Sequence, residues 1–111
     1  MAQHNELGKK GEQLAVDFLR DNAYTILERN YRFDKAEVDI IAQKKDVLAI
    51  IEVKTRSSKD FGNPEAFVKS KQIQNLVKAV NEYVILHDLD VEVRFDIISI
   101  LKENSNFKIE H

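Results

Sequence analysis

Two stretches of this sequence carry residue types whose spacing could do chemistry. Asp39 sits inside Glu37-Val38-Asp39-Ile40-Ile41-Ala42, and after twelve intervening residues an apolar run ends in Glu52-Val53-Lys54. Side chains two apart on a strand share a face, so Glu52 and Lys54 point the same way. A two-residue turn at Lys44-Lys45 or Lys45-Asp46 would set Asp39 opposite Ile50 or Glu52 and bring all three groups onto one face. Two carboxylates placed that close repel one another, and partial burial adds desolvation. A divalent cation relieves both costs. Mg²⁺ takes oxygen ligands, keeps several waters and is commonly held by one or two carboxylates plus substrate phosphates. A lysine two residues beyond the second carboxylate could then contact a scissile phosphate. A face so equipped could carry out phosphodiester hydrolysis by a metal-activated water, were Mg²⁺ (or Mn²⁺) to relieve the two carboxylates. On geometry alone, a cross-strand Asp–Lys or Glu–Lys ion pair at a sheet edge is an equal rival.

The elements that must position these groups follow from periodicity. From Leu7 to Asn22, Leu7, Gly11, Leu14, Ala15, Phe18 and Leu19 recur at the spacing of one helix face. Gly8, Gly11 and Ala15 leave one flank of that helix nearly bare, and Glu12 lies at its boundary. Tyr24 to Tyr31 reads as a strand. Glu37–Ala42 and Val47–Lys54 are short and rich in β-branched residues, which predicts a hairpin with a charged turn. Residues 55–69 read as a loop with a turn at Asn63-Pro64. A second helix is expected over Ser70–His87, with Ser70 as N-cap and Ile73, Leu76, Val77, Val80, Tyr83 and Val84 on one face. Val91–Leu101 is a further strand, and Phe107–Ile109 a short edge. The class is α/β: an αβββαβ core, with a mixed β-sheet flanked by helices.

Composition bounds the function. With 111 residues, one glycine- and proline-poor stretch after another and no repeat, the expectation is a single domain spanning 1–111. The absence of cysteine excludes disulfides and thiolate metal sites. No apolar run approaches the roughly 20 residues of a membrane span, and the start lacks the pattern of a secretory signal, so a cytoplasmic location without membrane contact is expected. The formal charge of −2 conceals an asymmetry, with 14 basic and 12 acidic side chains in residues 1–80 against 3 and 7 in residues 81–111. Lys54 to Lys78 is the most basic stretch. It supplies Arg56, Lys59, Lys69 and Lys71 as candidate contacts to a polyanion, although a solvated surface explains each equally well. Arg29 and Arg32 could also meet phosphates, or Arg32 could pair locally with Asp34. Arg94 and Asp96 share a strand face and read as a structural pair. His4, His87 and His111 lack metal-ligand spacing and receive no role. The tyrosines and phenylalanines fit core or edge packing better than a base-stacking platform. No glycine-rich phosphate loop is present.

Asp39 followed by Glu52-x-Lys54 resembles the PD-(D/E)xK signature of restriction-endonuclease-like nucleases. The chain more specifically resembles the YraN family of small bacterial proteins, which are similar to archaeal Holliday-junction resolvases. The matching pieces are Gly8-x-x-Gly11-Glu12-x-x-Ala15 with Phe18-Leu19, Asn30-x-Arg32, Glu37-Val38-Asp39-Ile40-Ile41-Ala42, Glu52-Val53-Lys54-x-Arg56, Phe61-Gly62-x-Pro64, Lys71 and Arg94-Phe95-Asp96. They span residues 8–96, and their order and spacing carry the resemblance. It implies a restriction-endonuclease-like fold, Asp39 and Glu52 as metal ligands with the Val53 carbonyl as a third, Lys54 as the catalytic lysine, and Glu12 as an additional catalytic acid. Val38 stands where the signature has Pro, and Ala36 where the family usually has Gly. Neither change removes a functional group.

The expected function is therefore that of a metal-dependent endonuclease acting on structured or branched nucleic acid, with DNA as the expected partner. Two other classes stay open: a non-catalytic nucleic-acid-binding module on the same fold, and a structural domain whose carboxylates only make ion pairs. A homodimer is an open expectation, since symmetric cuts at a junction need two sites.

Overall fold

In the computed structural model the described residues are 2–34, 36–57 and 70–111, with side chains described for all of these except 2–6, 57 and 70–73. The element order is α1 (Ala2–Asp21), β1 (Thr25–Phe33), β2 (Ala36–Lys44), β3 (Val47–Ser57), α2 (Ser70–Leu86), β4 (Glu92–Glu103) and β5 (Asn106–Glu110). The five strands form one sheet in the order β1-β2-β3-β4-β5. Three neighbouring pairs are antiparallel, and β3 and β4, joined through α2, run parallel. This is the expected mixed α/β arrangement, with an αβββαβ order and β5 added at the edge.

Each helix covers one side of the sheet. Ala15, Val16 and Leu19 of α1 are fully buried against Ile40, Ala42, Ala49, Ile51, Ile98 and Ile100. Val80 and Tyr83 of α2 close the opposite side over Val38, Ile41, Leu48 and Ile50. Leu48 to Ile51 is thus buried residue by residue on alternating faces, which is why the third strand reads as an unbroken apolar run. Burial of a Leu or Ile of this kind is worth roughly 1.5–3 kcal/mol.

Both helices end in the same way. After α1, Ala23 adopts φ 69° while Tyr24 N–H donates to the Leu19 carbonyl at 2.9 Å; after α2, Asp88 adopts φ 50° while Leu89 N–H donates to the Val84 carbonyl at 3.0 Å. These 6→1 bonds around a left-handed residue satisfy the last carbonyls. Neither position is glycine, so the helix ends carried no composition signal.

Several expectations shift. Helix α1 starts at Ala2 rather than Leu7, because Ala2-Gln3-His4-Asn5-Glu6 extends the helix without extending its apolar stripe. Strand β3 continues through Ser57, so residues 55–57 are strand rather than loop. The remainder of that loop, including the Asn63-Pro64 turn, lies outside the described residues, as does capping by the Ser70 side chain. Val77, placed on the buried face of α2, is 40% exposed. Phe95, expected to pack, is 48% exposed, because α2 packs against β2 and leaves that side of β4 open.

Candidate functional site

The Lys45-Asp46 turn is one of the two that the sequence allowed. Lys44 pairs with Val47, and the ladder runs antiparallel until Ile40 meets Ile51. There the described pairing between β2 and β3 stops, and the Asp39 side chain takes over. Its Oδ2 accepts the Val53 N–H at 2.8 Å, so a carboxylate satisfies a backbone donor where the ladder has ended.

The alternation of β2 also breaks at this point. Ile40 and Ala42 face α1, whereas Val38 and Ile41 both pack on the α2 side. Strand β1 is irregular at the same level. Asn30, which lies between the pairs Arg29↔Ile40 and Tyr31↔Val38, has φ 53°, a left-handed conformation that asparagine adopts more readily than most residues. As a result, Arg29 and Asn30 both reach the α1 side, donating to Glu12 Oε1 at 3.3 and 3.1 Å. The Glu12 side chain is 16% exposed. The boundary position expected from helix periodicity is thus a carboxylate clamped between α1 and β1.

A cleft of about 420 Å³ opens here, lined by residues of α1 (Leu7, Gly8, Lys9, Glu12), β1 (Asn30), β2 (Glu37, Asp39) and β3 (Val53, Lys54, Thr55). Helix α1 comes close to β3 because position 11 is glycine. A Cβ on Gly11 would collide with Thr55 Oγ1 and stand 2.9 Å from Thr55 Cβ and Cγ2. Val53 and Thr55 face α1, so Glu52 and Lys54 alternate to the other side of β3. Of the three groups expected on a single face, Glu52 and Lys54 share a side of β3, and the Glu52 charge acts on Asp39. Lys54 contributes to the cleft and Asp39 lies in the gap between β2 and β3, while Glu52 is not among the lining residues. Instead, Glu52 Oε1 pairs with Lys54 Nζ at 2.9 Å.

Asp39 is the electrostatically unusual member. Burial raises its pKa, the Val53 N–H opposes that, and the carboxylates of Glu52, Glu12 and Glu37 raise it again, leaving the group at about 6. Glu37 pairs with Arg32 across the hairpin at 3.3 Å, and Asp34 pairs instead with Lys78 at 3.6 Å, so the local Arg32–Asp34 pair does not form. Arg56 lies near the end of β3, outside the cleft lining. Lys59 and Lys69 fall outside the described residues, and so does the side chain of Lys71.

Among the described residues, no group of three or more His, Cys, Asp or Glu side chains is arranged to hold a metal ion. Two carboxylates with waters are enough for Mg²⁺, and Asp39 with Glu52 could supply that set. Sequence reasoning missed Lys9, Glu37 and Thr55 as neighbours of the site. The i, i+3 spacing of Lys9 and Glu12 and the i, i+2 spacing of Glu37 and Asp39 were the available signals.

A second polar cluster lies towards β5. Arg94 donates to Asp96 and to the Tyr24 hydroxyl, and His111, to which no role was given, stands 2.7 Å from Asp96 Oδ2. The expected Arg94–Asp96 pair is thus present and enlarged. Among the described residues no helix is long and apolar enough to cross a membrane.

Comparison with known proteins places the chain among relatives of nearly its own length. A UPF0102 protein of Flavobacterium psychrophilum is 65% identical over all 111 residues, which cover 93% of that relative. Its counterpart in Christiangramia forsetii is 66% identical with the same coverage, and that of Bacteroides thetaiotaomicron is 49% identical, with 92% of its length covered. The YraN-like resemblance of the motifs is in keeping with these likenesses. Since the family model matches residues 11–100, including every cleft residue from Glu12 to Thr55, the chain belongs to the uncharacterised protein family UPF0102.

Proposed function

We propose that this protein is a metal-dependent endonuclease of restriction-endonuclease-like fold, acting in the cytoplasm on structured or branched nucleic acid, with DNA as the substrate. The observation that carries the reading is Asp39. It is a carboxylate set at the end of the β2–β3 ladder, held by a backbone N–H, pressed by three other carboxylates and open to a cleft that Lys54 also lines. A carboxylate in that setting gains from a cation.

Asp39 and Glu52 would hold Mg²⁺ or Mn²⁺, which when bound supplies charge neutralisation at the phosphate and lowers the pKa of a water nucleophile. The chain's own groups do the rest. Val53 N–H fixes the Asp39 carboxylate in place. Lys54, released from Glu52, stabilises the negative charge that develops on the phosphate oxygens. Glu12, clamped by Arg29 and Asn30, is positioned to accept a proton at the α1 wall. Arg56 and Arg32, with Lys59, Lys69 and Lys71, are the proposed contacts along the strand. Two copies of the chain acting as a homodimer would allow paired cuts at a junction.

The test is cleavage of a labelled four-way junction and a linear duplex in Mg²⁺ or Mn²⁺. Wild type should cut the junction, and Lys54→Ala should lose on the order of 10²-fold or more in rate, the scale of removing one transition-state charge stabiliser. Equal rates in the two proteins would sink the proposal. A second reading, a nucleic-acid-binding module without catalysis, is favoured by the closed Glu52–Lys54 pair, which occupies the proposed catalytic lysine. Salt-sensitive binding without cleavage in any divalent metal would select it.

A further inference from the structure

We propose that Lys9 is a phosphate-contacting residue that grips the substrate backbone at the α1 rim of the cleft. The inference rests on the nucleic-acid reading above and adds a group that no motif marks. Lys9 lines the cleft together with Glu12, Glu37 and Asp39, so it faces three carboxylates within one concavity. It pairs with none of them and makes no hydrogen bond or ion pair with any other described residue. The carboxylates nearby have other cations. Glu12 is taken by Arg29, Glu37 by Arg32 and Glu52 by Lys54.

The reason lies in the helix. Lys9 and Glu12 are three residues apart and would ordinarily form an i, i+3 pair. Arg29 and Asn30 already occupy Glu12 Oε1 from β1, so the lysine is left exposed at the mouth. Among the described residues, nothing comes within 4 Å of where a Cβ on Gly8 would stand, so these residues leave room beside Lys9 for a bulky anion. A cation that is kept in an acidic cleft and is not neutralised by it offsets the carboxylates' repulsion of an incoming phosphate. Lys10 gives an internal control. It is adjacent in sequence, equally charged, exposed and unpaired, but about 100° round the helix and outside the cleft lining.

Fluorescence anisotropy with a labelled four-way junction, in Ca²⁺ instead of Mg²⁺ and over a series of salt concentrations, separates the cases. Lys9→Ala should weaken binding about fivefold at low salt and make the slope of log K against log salt shallower by about 0.9, the loss of one phosphate contact. Lys10→Ala should stay within about twofold with an unchanged slope, and Lys9→Arg should bind like wild type. Equal weakening by the two alanine variants, or no weakening by Lys9→Ala, overturns the inference and leaves the nucleic-acid reading standing. A wild-type protein that binds neither the junction nor a duplex overturns both. Thermal melts of each variant confirm that exposed helix positions were changed without unfolding the chain.

Discussion

Asp39 and Asp96 are aspartates on interior strands of the same sheet, both partly withdrawn from water, yet their carboxyl groups are driven in opposite directions. Burial pushes Asp39 up to about 6, and the negative charges of Glu52, Glu12 and Glu37 reinforce it against one backbone hydrogen bond. Burial also acts upward on Asp96, but hydrogen bonds from Arg94 and His111 outweigh it and hold the group below its ordinary value. Arg94 is correspondingly driven up by Asp96 and the Tyr24 hydroxyl. Asp39 is the more deeply withdrawn of the two, and the partners add to that difference: Asp96 has cationic donors, whereas Asp39 faces further carboxylates. The cluster at Asp96 is internally neutralised and reads as architecture, tying β4 to Tyr24 and to the end of the chain. Asp39, by contrast, is held by a backbone N–H and has no cationic partner among the described residues, the condition in which a carboxylate gains from a cation supplied from outside.

The two aspartates should therefore respond oppositely to mutation. The largest effect on stability is expected for Asp96→Ala, which strands Arg94 and His111 and should cost roughly 2 kcal/mol in urea unfolding. Asp39→Asn should do the reverse. It keeps an acceptor for Val53 N–H while removing the repelled charge, and should stabilise the metal-free protein by about 1–2 kcal/mol at neutral pH, after allowing for solvent screening. Added Mg²⁺ should raise the melting temperature of wild type and leave Asp39→Asn unmoved. A destabilised Asp39→Asn would show that the carboxylate is paired after all, and would erase the contrast.

The smallest effect is the pH dependence. A group whose folded pKa is raised binds more protons in the native state, so the contribution of Asp39 to stability falls as pH rises from about 4 to about 6. Asp96, with a lowered pKa, contributes above its ordinary range and loses that contribution as the solution is acidified through its folded value. Unfolding free energies of wild type and Asp39→Asn measured over pH 4–7 should converge at the acid end.

Much of the frame was legible because it is periodic. The β2–β3 hairpin, its charged two-residue turn and the apolar face of α1 follow from alternation and from the helical repeat, and the Arg94–Asp96 pair follows from i, i+2 spacing. What escaped were the departures from period. Asn30 turns left-handed, β2 breaks its alternation around Asp39, and the ladder opens where the motif residues stand, so Asp39 accepts a backbone N–H where strict alternation would have continued the ladder. His111 was passed over because its partner, Asp96, is 15 residues away across an antiparallel pair whose register no local pattern reveals. Phe95 was expected, like the other phenylalanines, to pack in the core or at an edge, and the position of α2 explains its exposure.

The close approach of α1 to β3 has an evolutionary consequence. Gly11 and Thr55 share a volume that holds one side chain, and glycine within a helix gives up about 1 kcal/mol relative to alanine. The two positions are therefore not free to drift separately. A lineage that enlarges residue 11 must shrink residue 55 in step, or else lift the helix carrying Lys9 and Glu12 away from Asp39. The width of the cleft is in this sense inherited as a pair of residues, one of them conspicuous for the side chain it lacks.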